Sequence, residues 1–133
     1  MANTTGKIVT EALQNKVSTL ESAAEEAEAA IAAFAVDGAL TKTTGVKVLT
    51  KAGVGAYTLA APTAAEAGRR LTIINGTANA HVITATNLID DGVTGGAKDT
   101  ATFGAFVGAS IELLAYNLKW TVLAKNVVTI AGV

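Results

Sequence analysis

The sequence predicts a mainly β protein with one N-terminal α-helix. Three observations predict it. Apolar side chains recur every seven positions over residues 10–34. From about residue 46, apolar and polar residues alternate in short runs. Gly, Asn and Asp pairs punctuate those runs. The expected organisation is a coiled-coil helix over 1–38, a Thr-rich linker over 39–45, and an antiparallel β-sandwich or barrel head over 46–133.

The helix is read from its register. With Leu13 at position d, the d series is Leu13, Leu20, Ala27 and Phe34, and the a series is Thr10, Val17, Ala24 and Ile31. A seam of this spacing favours packing against copies of itself. Thr4 or Thr5 would cap its start, and Asp37-Gly38 would stop it. Lys16 at g would face Glu21 at e of a parallel neighbour. That exposed pair adds a few tenths of a kcal/mol at most. Val17 with Leu20 suits a dimer, but the heptads leave dimer and trimer open. The expected oligomer interface is therefore Leu13, Val17, Leu20, Ala24, Ala27, Ile31 and Phe34.

The head is read from alternation. Strands are expected at 46–50, 56–60, 71–75, 81–86, 100–107, 110–116, 120–124 and 127–130. Turn signals lie between them at Gly53-Val54-Gly55, Asn75-Gly76, Asp91-Gly92, Gly95-Gly96 and Gly108. Pro62 opens a single helical turn over 63–67, and residues 87–98 form the longest loop.

Composition narrows the function. Half of the 133 residues are hydrophobic, yet only 5% are aromatic, and much of the remainder is alanine. Alanine buries little area, so a thin core implies stabilisation by partner chains. The net charge of -1 gives no field to attract nucleic acid or acidic lipid. Residues 1–37 carry six acids against two lysines, a net of -4, and the remaining residues carry +3. There is no cysteine, so neither a disulfide frame nor a thiolate nucleophile is available. The N-terminus does not read as a secretory signal, and no apolar run reaches the ~20 residues of a membrane helix.

The span from Tyr57 to Leu123 resembles a module of tailed-bacteriophage virion proteins. The pieces that carry the resemblance are Tyr57-Thr58-Leu59, Pro62, Gly68 through Asn75, His81 through Thr84, Ile89 through Gly92, Gly108 through Leu113, and Trp120. They cover about half of the chain. The module recurs in head fibres, head decoration proteins and tail-fibre segments, usually as trimers. The family often has Asp-Gly or Asn-Gly before the tryptophan. This chain has Asn117-Leu118-Lys119, which implies a longer or differently shaped final turn.

The resemblance implies a non-enzymatic homotrimer on the capsid surface, bound to the major capsid protein after assembly in the host cytoplasm. At 133 residues the chain is short for a complete tail fibre. The alternative is a short tail-fibre or receptor module that binds a host-surface glycan. No cofactor is expected.

Candidate chemistry is sparse. His81 is the single histidine and opens a strand, which suits an edge or interface side chain. Catalysis would need a nucleophile and an orienting acid beside it. The serines are Ser18, Ser22 and Ser110, and the sequence around Ser110 lacks a nucleophile elbow. Asp90, Asp91 and Asp99 flank a Gly-rich loop but do not match a twelve-residue calcium loop. Arg69 and Arg70 should point to opposite faces of a strand, one of them pairing with Glu66 or Glu112. Tyr57, Tyr116 and Trp120 would form any carbohydrate platform, although Trp120 on an alternating strand suits a core. Arg69, Arg70, His81 and Trp120 are the candidate surface contacts.

Overall fold

Period-two alternation produces a β element at every expected place from Gly45 onward. The computed structural model describes residues 31–132. Ten strands run in chain order: β1 (Ile31–Phe34), β2 (Gly38–Ala39), β3 (Gly45–Leu49), β4 (Ala56–Thr58), β5 (Arg70–Asn75), β6 (Val82–Asp90), β7 (Lys98–Phe103), β8 (Ser110–Tyr116), β9 (Lys119–Asn126) and β10 (Val128–Ala131). A single 3-10 turn at Ala64–Glu66 follows Pro62. The described residues contain no α-helix.

All ten strands belong to one sheet that curls into two facing limbs. One limb runs β1-β3-β5-β8-β9, and the other holds β2, β4, β6, β7 and β10. The limbs join where Ile89 and Asp90 of β6 pair with Trp120 and Thr121 of β9. The first six strands alternate between limbs, so like strands stack in parallel. Ile31, Val46 and Thr72 stand side by side in one limb, as do Gly38, Tyr57 and Ile83 in the other. Parallel neighbours need a crossover between them. Here each crossover is a strand of the opposite limb. The last four strands then pair antiparallel and close the winding, β8 on β5, β9 on β8, β7 on β6 and β10 on β7.

The core lies between the limbs. Alternation turns Leu71, Ile73, Ile111, Leu113 and Ala115 inward from one limb, to meet Tyr57, Ile83, Ile89, Ala101 and Phe103 from the other. Apolar contact alone leaves two limbs free to slide, because it has no direction. Directional bonds fix them. Tyr57 of β4 donates its hydroxyl to the Phe34 carbonyl of β1 at 2.7 Å. Trp120 of β9 is fully buried and donates its indole N–H to the Ala60 carbonyl at 2.9 Å.

Four expectations are corrected. The heptad register fails at its end, because Ile31 and Phe34 lie in β1 and not in a helix. Pairing with β3 and burial of Phe34 against the core override the sevenfold spacing there. The other seam residues, Leu13, Val17, Leu20, Ala24 and Ala27, lie outside the described residues. The β unit begins at Ile31 and not at 46, and the expected linker contains β2 and the buried Leu40. The sheet is mixed and not purely antiparallel, since alternation along a strand is blind to the direction of its neighbour. Trp120 and His81 are fully buried, so neither is a surface contact.

Lys47 is an exception inside the core. It follows the inward alternation of β3 and is 1% exposed. Its ammonium donates to the Thr43 carbonyl, and burial pushes its pKa below the usual lysine range. A buried cation without a carboxylate is costly. Lys47→Met should therefore gain up to about 2 kcal/mol in urea unfolding; a clear loss would mean that the ammonium supports the fold. Trp120→Phe should lose about 2 kcal/mol in the same assay, because it orphans the Ala60 carbonyl and leaves a cavity.

Candidate functional site

Asn75 ends β5, and His81 immediately precedes β6, so the chain between them is the crossover from one limb to the other. Both side chains are fully buried. The Asn75 amide donates to the carbonyls of Asn79 at 2.7 Å and Gly104 at 3.0 Å. Its oxygen accepts from the Thr77 N–H at 3.0 Å and the Thr77 hydroxyl at 3.3 Å. His81 Nδ1 accepts the Gly55 N–H at 2.8 Å, which leaves its proton on Nε2, facing Thr77 Oγ1 at 2.8 Å. Three loops are thereby tied together. Gly55 has to be glycine, because a Cβ there would strike the Tyr57 ring and His81 Nδ1. Both imidazole nitrogens are engaged in holding backbone and loop, which is a positioning role.

The two arginines separate as expected, and both find acids. Arg69 bonds Glu66 at 2.8 Å, and Arg70 lies 3.6 Å from Glu112. Glu66 also takes Lys42 at 2.8 Å and the Thr63 N–H at 2.8 Å. The hydrogen bond from Lys42, then that from Thr63, pull the Glu66 carboxyl down to about 2. Asp37 is lowered by Lys51 and by the Ala56 N–H. Asp91 accepts from the Val93 N–H and braces the Gly-rich turn. Asp99 of β7 accepts from the Asn87 N–H of β6, where the pairing of the two strands shifts register; residues 87–90 and 98 of the expected loop are thus strand. Among the described residues, no three His, Cys, Asp or Glu side chains gather as a metal site.

What remains on the surface is apolar. Phe106 and Val107 are 65% and 70% exposed in the loop between β7 and β8. Val127 is 52% exposed and holds φ 56° where the chain passes from β9 to β10, an outlier for a β-branched residue. At the opposite end of β8, Tyr116 and Leu118 are 66% and 56% exposed. Asn117 and Leu118 form the two-residue turn between β8 and β9, with φ 52° and 60°. That geometry corrects the expectation of a longer final turn. Positive φ at both positions favours Asn-Gly. Leucine in that second place costs about 1 kcal/mol.

Tyr116, Asn117 and Leu118 face the Pro62–Ala67 segment across a groove of about 260 Å³. Tyr116 does not share a platform with Tyr57 and Trp120, the other two aromatics that any carbohydrate site would have used. The structure separates them, since the latter two are core. Leu118 went unnoticed as a site residue, although leucine where a hairpin usually has glycine was the available signal. A scan of protein-family models and a search of curated proteins each find no match to this chain.

His81 is the sole histidine and the chain has no cysteine, so it alone among side chains has an ordinary pKa between about 5 and 8. Burial lowers its pKa from 6.5 in the folded protein. The unfolded chain then binds the proton first, so stability is fully present above about pH 6.5 and falls as the pH drops below it. Thermal melts of the wild type should lose stability between pH 7 and pH 5, and His81→Gln should flatten that slope while lowering the plateau. Equal slopes would remove His81 as the cause.

Proposed function

We propose that this chain is a non-enzymatic structural protein of a tailed-phage virion. In this reading it is a homotrimeric head decoration or head-fibre protein that binds the major capsid protein and slows rupture of the head. The observation that carries the reading is where the pieces of the resemblance fall. Tyr57, Asn75, His81 and Trp120 come from four separate pieces, and each is a buried side chain making a hydrogen bond that joins limbs or loops. Residues that fix a fold specify a module and not a reaction. The resemblance thus supports a shared scaffold whose work is done by its surface.

That surface suits association. Large apolar side chains stand exposed at both ends of β8. The outer strand β1 pairs only with β3 among the described residues, and its exposed residues Ile31, Ala32 and Ala33 carry no charge. Edge strands that stay unpaired are usually guarded by charge or proline. Many weak contacts multiplied by the avidity of a trimer are enough for decoration. The second reading, a short tail-fibre or receptor module that binds glycan, is favoured by the groove beside Tyr116.

Light scattering on the purified full chain should give the mass of a trimer, and Leu20→Asp should reduce it, because a charge placed in the seam costs several kcal/mol. Stripped heads should rupture earlier on heating than decorated heads, and added protein should restore them. A monomeric wild type would end the trimer reading. Heads that are equally robust and bind no added protein would end the decoration reading in favour of the tail-fibre module.

A further inference from the structure

At one end of the β unit, five loops cross between the limbs and together carry no net charge. β1, β3, β5, β7 and β9 finish at this end, and β2, β4, β6, β8 and β10 start there. The loops are residues 35–37, 50–55, 76–81, 104–109 and 127. Apart from the buried His81, their ionisable side chains are Asp37 and Lys51, which bond each other at 2.8 Å. Val36, Val54, Phe106, Val107 and Val127 are each more than half exposed.

This apolar end is held in place from beneath. Asn75 and His81 tie three of its loops together. The Gly104 N–H donates to the Val127 carbonyl at 2.8 Å, and a Cβ at Gly104 would strike Val127 and crowd the Phe106 ring. Glycine there lets both apolar side chains close over one spot. Val127 keeps its apolar side chain in a left-handed conformation that glycine or asparagine would adopt at less cost. Loops ordered in advance lose little entropy on binding.

Charge and area choose the partner. With Asp37 and Lys51 paired, a nucleic acid or an anionic lipid finds nothing to attract it, and two copies of this end do not repel. Interfaces between unlike proteins are about as polar as the rest of the surface, whereas those between identical chains are more apolar. Five partly exposed side chains offer a few hundred Å², less than the ~800 Å² each partner gives to a standard interface. Such a contact is weak alone and gains most from a partner held at high local concentration. A second copy is the partner that any oligomer supplies.

We propose that this end is a self-association surface, on which the same end of a second copy of the chain docks. The contact is separate from the heptad seam and from capsid attachment, so it stands or falls independently of both.

The test is paramagnetic broadening between copies of the full chain. The chain has no cysteine, so Ala105→Cys takes a single nitroxide label at the exposed end. Nitroxide-labelled chain and nitrogen-15 chain are mixed in urea and refolded together. Broadening should reach the amides of residues 53–55, 104–108 and 127 of the nitrogen-15 copy and spare residues 63–67 and 116–118. Phe106→Ser in both copies should weaken the contact by about tenfold and reduce the broadening accordingly. Val127→Asn is the decisive variant. Asparagine tolerates the left-handed geometry, so the melting temperature should hold or rise while the broadening falls. A valine kept only for the fold would lose stability on replacement and leave the broadening unchanged. The proposal is overturned if no amide of this end broadens, as would follow if an unlike protein were the occupant, or if the broadening survives both variants. Neutral phosphatidylcholine vesicles that perturb these amides where a second copy does not would overturn it in favour of a lipid surface.

Discussion

Two limbs of a curled sheet that meet through apolar side chains have no fixed register until something directional crosses between them. In this protein that constraint is met by the pairing of β6 with β9 at one place and, elsewhere, by side-chain hydrogen bonds to backbone groups far away in sequence. Asn75 reaches the Gly104 carbonyl, Tyr57 reaches Phe34 and Trp120 reaches Ala60 across the limbs, while His81 holds the Gly55 N–H between two loops of one limb. Each bond satisfies a buried polar group as well as joining two parts of the chain. A net gain of about 1 kcal/mol per bond understates their weight, because removing one partner orphans the other in a dry interior. No buried side-chain nitrogen or oxygen among the described residues lacks a partner. The surface features, including the hairpin tip, are presented on the frame that these bonds set.

Much of this was legible in the sequence, and the failures have physical causes. Ser110–Tyr116 emerged with the expected bounds, because its alternation is strict and Gly108 marks its start. The Pro62 turn and the separation of Arg69 from Arg70 were legible for similarly local reasons. The parallel winding was not, since period two says which face a residue takes and nothing about its neighbour's direction. Ile31–Phe34 reads as helix because alanine favours helix over strand and the sevenfold spacing runs through it. Tertiary pairing with Val46–Leu49 decides between them. At the candidate site, Tyr116 was legible as an aromatic. Its separation from Tyr57 and Trp120 depends on core geometry that spacing does not encode.

The two exposed apolar residues in left-handed geometry point the same way. Leu118 and Val127 sit where glycine or asparagine would cost less, and both place apolar surface in solvent. Natural chains depart from local preference mainly where function asks for it. A scaffold fixed from within and strained at its tips fits a protein that works by contact. Tyr57, Asn75, His81 and Trp120, which the pieces of the resemblance contribute, are buried, whereas Tyr116 and Leu118 lie outside those pieces and are exposed. Asn117-Leu118 departs from the family pattern at the very turn where the groove opens.

The central claim is that this chain serves as a structural part of a virion. Its most direct measure is the number of copies per particle, by quantitative mass spectrometry of virions purified from any phage found to carry this sequence. A head decoration or head-fibre protein should be present in large numbers, in a fixed ratio to the major capsid protein and in multiples of three. A handful of copies would move it to the tail. Absence from the mature particle would contradict the account.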